Sequence, residues 1–242
     1  MKKIFALSFA DARNVVRDST LILVLFGPIG VFAFLRFVVP LIADHLAAER
    51  TFDLWDHCPF IVSFMSLLPS MLFGLIFGFI ILDERDEDII SFIAVTPLRK
   101  SGYLSYKLLA SVLMSFIFFF IIVYLSGLIT LPIKYAFALA VMVALEAPMV
   151  ALFLAAFAVN KVEGLAFSKM LGVMYLAPFV AYFVESNWQY LAGIFPPFWV
   201  TKAFLAAKDN TSLSYWVFIA AGLTTHLGVI GLFLKRFVDN QR

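Results

Sequence analysis

Apolar residues in this chain come in long unbroken runs, not in alternation. A helix needs about 20 mostly apolar residues to cross the roughly 30 Å hydrocarbon core of a bilayer. Six segments have that length, at about 21–42, 60–82, 108–131, 135–158, 165–184 and 213–235. They are rich in Leu, Ile and Phe, and the short alternating strands of a barrel are absent. The pattern predicts an all-α polytopic membrane protein: one transmembrane domain over 1–242 with six transmembrane helices.

The stretches between these runs carry patterns of their own. At 100° per residue, Ile4, Phe5, Phe9, Ala12, Val15 and Val16 share one face of residues 1–19, and Lys2, Lys3, Arg13 and Arg17 share the other. This predicts an interfacial helix lying on an anionic leaflet. Asp11, Arg13, Arg17 and Asp18 interrupt any apolar core of a cleavable signal. Segment 185–212 contains "WQYLAGIFPPFWVTKAF", too apolar for a solvated linker. It is expected to dip into the outer leaflet or fold back on the bundle as short helices, divided at Pro196 and Pro197.

Composition agrees with the pattern. The chain has 242 residues, 63% hydrophobic and only 14% charged, with mean hydropathy +1.00; soluble domains run nearer half apolar and about a quarter charged. The single Cys58 forms no intramolecular disulfide. The net charge of +2 matters less than its placement. Thirteen basic residues fall on one side of the predicted spans: Lys2, Lys3, Arg13, Arg17, Arg85, Arg99, Lys100, Lys107, Lys161, Lys169, Lys235, Arg236 and Arg242. Four fall on the other: Arg50, Lys134, Lys202 and Lys208. The positive-inside rule then puts both termini in the cytoplasm, as an even number of spans requires. Trp55, Trp188, Trp199 and Trp216 all fall toward the outer interface.

The densest charge lies in "ILDERDEDIISFIAVTPLRKSGYLSYKLLA", residues 81–110, between the second and third spans. Placed on a helix over 84–96, Ile89, Ile90, Phe92 and Ile93 gather on one side, with Glu84, Glu87, Asp88 and Ser91 on the other. Pro97 stops the helix. An acidic polar face is repelled by anionic lipid, so a protein groove suits this helix better than the membrane surface; a solvated connecting loop is the plainer alternative.

Within it, "ERDEDIISFIAVTPL" resembles the first cytoplasmic loop of ABC-2 type transporter permeases. Glu84, Arg85, Val95, Thr96, Pro97 and Leu98 match the usual run; Asp86, Ile90 and Ile93 match in kind; Tyr103, Leu104 and Lys107 fit the entry to the third span. Asp88 stands where that family commonly has Gly, Ile89 where it has Thr, and Ser91 where it has an acid. The stretches "ALEAPMVALFLAAFAVNKVEGLAFSK" and "FPPFWVTKAF" look like small bacterial ABC-2 permeases of the fluoroquinolone-export type. The resemblance implies that the loop carries a coupling helix docking on a separate ABC ATPase. Ile89, Ile90, Phe92 and Ile93 would be the docking surface, with Thr96 and Pro97 ending it. Glu84 and Arg85 would fix the helix against the N-terminal helix or the ATPase, and 159–169 would be a second contact. ATP and Mg would be bound by that partner, and a second permease, identical or paralogous, would complete a dimer in the bacterial cytoplasmic membrane.

The chain has no G-x-x-x-x-G-K-[ST] loop for ATP phosphates, no H-E-x-x-H and no G-x-S-x-G. It is therefore expected to be a transport subunit and not an enzyme, with no cofactor and no nucleic-acid partner of its own. His45, His57 and Cys58 near several acids fit no strong metal-ligand spacing. Two ionisable groups remain inside the spans. Glu146 lies roughly 16 Å and His226 roughly 20 Å along their helices, near the bilayer middle. At that depth they should face the bundle interior, as a pair or as the lining of a translocation path. The substrate expected is hydrophobic or amphipathic: a drug, a peptide or a lipid-like molecule. Two other readings remain open, an ion-coupled carrier or intramembrane enzyme using Glu146 and His226, and an assembly or sensory subunit without substrate flux.

Overall fold

Among the described residues six helices are long and apolar enough to cross a membrane: Leu21–Ala48, Trp55–Asp86, Arg99–Leu125, Ile133–Phe157, Lys161–Phe183 and Ser212–Asp239, here spans 1 to 6. The computed structural model describes residues 11, 15, 16, 18–49, 52–96, 99–209 and 211–240. Among these every regular element is helical. Most of the expected interfacial helix over 1–19 lies outside the described residues, as do Arg50 and Pro97.

Spans 2 and 4 are largely buried inside the bundle, and the other four surround them with one side exposed. Helices in lipid gain little from burying apolar groups against one another, so close backbone approach decides their packing. Spans 2 and 4 achieve it through Gly74 and Gly78, one turn apart. A Cβ at Gly74 would stand 2.6 Å from the carbonyl oxygen of Ala147 and 2.6 Å from Cβ of Val150, and one at Gly78 would stand 2.9 Å from Leu154 Cδ1.

Two spans are broken near their midpoints. Span 4 turns at Leu145, dividing Ile133–Ala144 from Glu146–Phe157. Pro148 lacks the N–H that would bond to the carbonyl of Ala144, which is where the helix ends. Span 5 turns at Tyr175 and Leu176, and Pro178 stands in the first turn of its second half, Ala177–Phe183. Spans 1 and 3 instead carry single π-turns, at Phe34–Val38 and Ile121–Leu125. Arg36 of span 1 donates to the carbonyl of Ser126 at 3.2 Å, just past the end of span 3.

The segment after span 5 forms a 3₁₀ helix, Asn187–Ile194, and then a helix from Pro196 to Lys208 with both prolines in its first turn. Phe198, Val200, Thr201, Ala203, Phe204 and Ala207 are wholly buried, and this helix packs on spans 2, 5 and 6 and the first half of span 4. Ser63 Oγ donates to Thr201 Oγ1 at 3.2 Å, tying it to span 2. The tryptophan-bearing end of the bundle is therefore filled by protein.

The charged loop differs from its expected form. Span 2 continues as a helix to Asp86, so Glu84 and Arg85 belong to its last turn and the single helix expected over 84–96 is divided. The chain turns at Glu87 and Asp88, and a separate short helix spans Ile89–Ala94. The turn places Asp88 at φ 58°, the left-handed region favoured by glycine and tolerated by Asp and Asn. Asp88 occupies the position where ABC-2 permeases commonly carry Gly, and the backbone explains that preference. Span 3 likewise begins at Arg99, not near 108, because its polar first turns are matched by acids on neighbouring segments.

Because Gly74 faces a backbone oxygen, no rotamer change in a neighbour can relieve a larger residue there. Gly74→Val is expected to abolish the monodisperse peak in size-exclusion chromatography in mild detergent, whereas Gly30→Ala, which meets nothing within 4 Å, should leave it unchanged.

Candidate functional site

Two clusters of polar side chains stand out, one at the charged end of the bundle and one at its centre. At the charged end, the last turn of span 2 reaches spans 3, 4, 5 and 6. Asp83 Oδ2 accepts from Lys161 Nζ of span 5 at 2.6 Å, and Lys161 also pairs with Asp18, just ahead of span 1. Glu84 accepts from Lys107 Nζ of span 3 at 3.0 Å and from the hydroxyl of Tyr103. Lys107 also pairs with Asp11, which accepts a 3.0 Å hydrogen bond from Tyr106. Arg85 donates to the carbonyls of Ala155, at 2.5 Å, and Ala158, at 3.0 Å, satisfying the C-terminal end of span 4. Its guanidinium lies 5.6 Å from the ring centre of Phe237 on span 6. Asp86 accepts from the backbone N–H of Lys161 at 3.3 Å.

Lys107 is wholly buried, and Glu84 and Asp11 nearly so. A buried ammonium is tolerable only beside carboxylates with hydrogen bonds filling the remaining positions. Lys107 and the partly exposed Lys161 each bridge one acid from the N-terminal side and one from span 2. Asp11, Asp18, Lys107 and Lys161 were not recognisable as partners from sequence order, since up to 143 residues separate the members of a pair.

The loop helix presents its faces unequally. Ile90 is buried among Ile81, Tyr103, Leu104 and Phe237, and Ile93 packs partly on the same cluster. Ile89 is half-buried. Phe92 is 72% exposed and Val95 88% exposed. Of the four residues expected to share a docking face, two thus anchor the helix to its own bundle, because the turn at Asp88 rotates it relative to span 2. Thr96 Oγ1 donates to the carbonyl of Ile93 at 2.8 Å, closing the helix end. A cleft of about 560 Å³ beside the loop helix is lined by Arg85, Asp88, Ser91, Lys100 and Asn240, together with the end of span 4. Residues 159–169 open span 5, whose start is capped by Asn160 accepting from the N–H of Glu163 at 2.9 Å.

At the centre, Glu146 and His226 are both fully buried and meet directly, His226 Nε2 to Glu146 Oε1 at 3.0 Å. His226 Nδ1 lies 2.6 Å from the carbonyl of Gly222. A carbonyl only accepts, so Nδ1 carries a proton. One further proton must lie between Nε2 and Oε1, because two lone pairs would otherwise face each other. Whichever atom holds it, the pair is electrically neutral overall. Tyr175 Oη donates to Glu146 Oε2 at 3.3 Å. Glu146 sits at the break in span 4 and Tyr175 at the break in span 5, so both broken helices and span 6 meet at one carboxyl group. Tyr175 carried one sequence signal, its place three residues before Pro178.

His45, His57 and Cys58 make separate contacts. His45 pairs with Glu49 at 3.3 Å; His57 Nδ1 lies 2.6 Å from the hydroxyl of Tyr182, with its ring stacked on Phe52; Cys58 Sγ contacts the carbonyl of Leu54. Among the described residues no group of three His, Cys, Asp or Glu side chains is placed to hold a metal ion.

Replacing one partner of a buried ion pair leaves the other uncompensated and costs about 3–5 kcal/mol. Lys107→Met is expected to lower thermal stability in detergent on that scale. Adding Glu84→Gln should restore part of the loss, measured as the apparent Tm of the single and double variants.

A family model described as "Fluoroquinolones export permease protein Rv2686c-like" matches residues 11–234. Two relatives from Mycobacterium tuberculosis, the fluoroquinolones export permease protein MT2760 of strain CDC 1551 / Oshkosh and the fluoroquinolones export permease protein Rv2686c of strain ATCC 25618 / H37Rv, are each 27% identical over 230 residues, covering 94% of this chain and 90% of theirs. No solved structure matches the chain. The family match takes in the first five spans, most of the sixth, the charged loop, Glu146 and His226. This chain therefore belongs to the Rv2686c-like fluoroquinolones export permease family, within the ABC-2 type permeases that its first loop resembles.

Proposed function

We propose that this chain is the membrane half of an ATP-driven exporter for hydrophobic or amphipathic molecules, with ATP and Mg bound by a separate ABC ATPase. One observation carries the reading: Phe92 on the short helix and Val95 just past its end stand exposed, while the helix's other face is fixed in the bundle. An apolar knob on a rigid mount at the charged end suits a protein partner better than water. The neighbouring cleft, with Arg85, Lys100 and Asp88, offers polar contacts around it. The excess of basic residues in the loops at this end supports a cytoplasmic position for it and for both termini, in a bacterial cytoplasmic membrane.

The network at the end of span 2 supports a route for the motion. Closure of the ATPases would push on the loop helix. Ile90 and Ile93 would pass the displacement to spans 2, 3 and 6, and Asp83, Glu84 and Arg85 to spans 3, 4 and 5. The buried contacts switch as a unit between two arrangements and do not deform continuously. Six spans are half the usual set for this class, so a second permease, identical or paralogous, completes the pathway. The mycobacterial relatives are named for fluoroquinolone export, which favours a drug-like substrate here. Glu146 and His226 belong to the wall of the path, where a neutral pair passes an apolar molecule without exposing a charge to it.

Purification through a tag from native membranes in mild detergent is expected to retain a P-loop ATPase. Phe92→Asp combined with Val95→Asp should reduce its recovery at least tenfold without changing the yield of this chain. Recovery of this chain alone across several detergents would overturn the reading in favour of an ion-coupled carrier. Glu146→Gln can donate to His226 Nε2 and accept from Tyr175, so it should fold normally. It is expected to lose substrate export in vesicles, and unchanged export would remove the pair from the mechanism.

A further inference from the structure

Spans 4, 5 and 6 do not close fully on one another. Between them and the turn at Ile194–Pro196 lies a cavity of about 440 Å³, within the roughly 300–1,000 Å³ typical of small-molecule sites. No charged or hydrogen-bonding side chain lines it. Three thioethers, Met149, Met170 and Met174, and three rings, Phe153, Phe195 and Phe233, do. Thioethers and ring edges favour contact with a further aromatic ring, and methionine adapts to guests of differing shape. Each member of the central triad lies within one helical turn of this wall: Glu146 before Met149, Tyr175 after Met174, His226 before Val229. The mouth faces sideways. Met149 is buried at the inner end, whereas Met170 and Val173 are 60% and 61% exposed on the outer flank of span 5, where a spanning helix meets lipid.

We infer that this cavity binds a flat, uncharged aromatic molecule entering from the lipid phase between spans 5 and 6. The inference rests on the reading of the chain as an exporter permease and names the class of molecule it accepts. A charged guest would find no partner in the wall and would lose its hydration without compensation. The neutral Glu146–His226 pair adds no net charge to attract one. A phospholipid headgroup would find neither a cation nor a side-chain donor in the lining. The aromatic and sulfur lining offers favourable contacts to a ring system.

The test uses the whole protein in phosphatidylcholine nanodiscs, without any ATPase, photolabelled with an uncharged diazirine-bearing naphthalene and mapped by mass spectrometry. Saturable labelling is expected within 149–153, 170–174 and 229–233, displaced by excess unlabelled naphthalene. Val173→Trp should reduce it at least tenfold by blocking the mouth from an exposed position that makes little demand on folding; Met174→Trp should do so by filling the cavity. In a parallel arm, phosphatidylcholine with a diazirine in its tail should label outward residues such as Leu113, Leu227 and Leu232 without saturating. Equal tail labelling of the cavity segments that naphthalene fails to displace would mark a lipid slot and overturn the inference. Naphthalene labelling spread evenly over the outward residues would overturn it too. Because no ATPase is present, either failure leaves the exporter reading standing, and loss of the exporter reading leaves the labelling result intact.

Discussion

Lys107 has no access to water, and the charged end of the molecule is arranged around that fact. An ammonium in such a place must be met by carboxylates, and the chain supplies them from two directions, Glu84 at the end of span 2 and Asp11 ahead of span 1. Lys161 repeats the scheme with Asp83 and Asp18. Such pairs add little net stability over a well-packed apolar alternative, but they tolerate few geometries. They therefore fix how the loop, the N-terminal side and spans 2, 3 and 5 sit together. Arg85 adds span 4 by satisfying carbonyls that the helix end leaves open. The acids that look from sequence like a solvated loop are in part the inner fastening of the bundle.

The centre follows a different rule. Lipid supplies no hydrophobic drive between helices, so spans 2 and 4 rely on the missing side chains of Gly74 and Gly78 for contact. Proline breaks in spans 4 and 5 free backbone groups near Glu146, whose buried carboxyl group is satisfied by His226 and Tyr175. The break, the polar cluster and the neighbouring apolar cavity are adjacent, so a change in any one is felt by the others. Elsewhere the core is mainly aliphatic and aromatic side chains, with buried serines and Thr201 among them.

The six spans were legible because lipid imposes length and apolarity on every crossing helix. Glu146 and His226 were legible because an ionisable group inside such a run has so few permitted environments. The loop was harder. A helical projection of 84–96 assumes one continuous helix, and the left-handed turn at Asp88 rotates the two halves relative to each other. Ile90 then turns inward, and Phe92 and Val95 face out. Lys107 was visible as part of a motif but not as a buried charge, because its partners lie 23 and 96 residues away. Tyr175 was one tyrosine among eight, and only its spacing from Pro178 set it apart.

The pairing of Glu146 with His226 also bears on how the protein is made. The two residues are 80 positions apart, so span 4 enters the bilayer well before span 6 has been synthesised. During that interval Glu146 has no imidazole beside it, and an ionised carboxylate at the middle of an inserting helix costs about 2.5–3.5 kcal/mol on translocon scales. The early spans must therefore carry Glu146 as the neutral acid or keep it near the translocon's aqueous lining. The core of this bundle is completed only when the last helix arrives, and biogenesis has a waiting step written into the order of its helices.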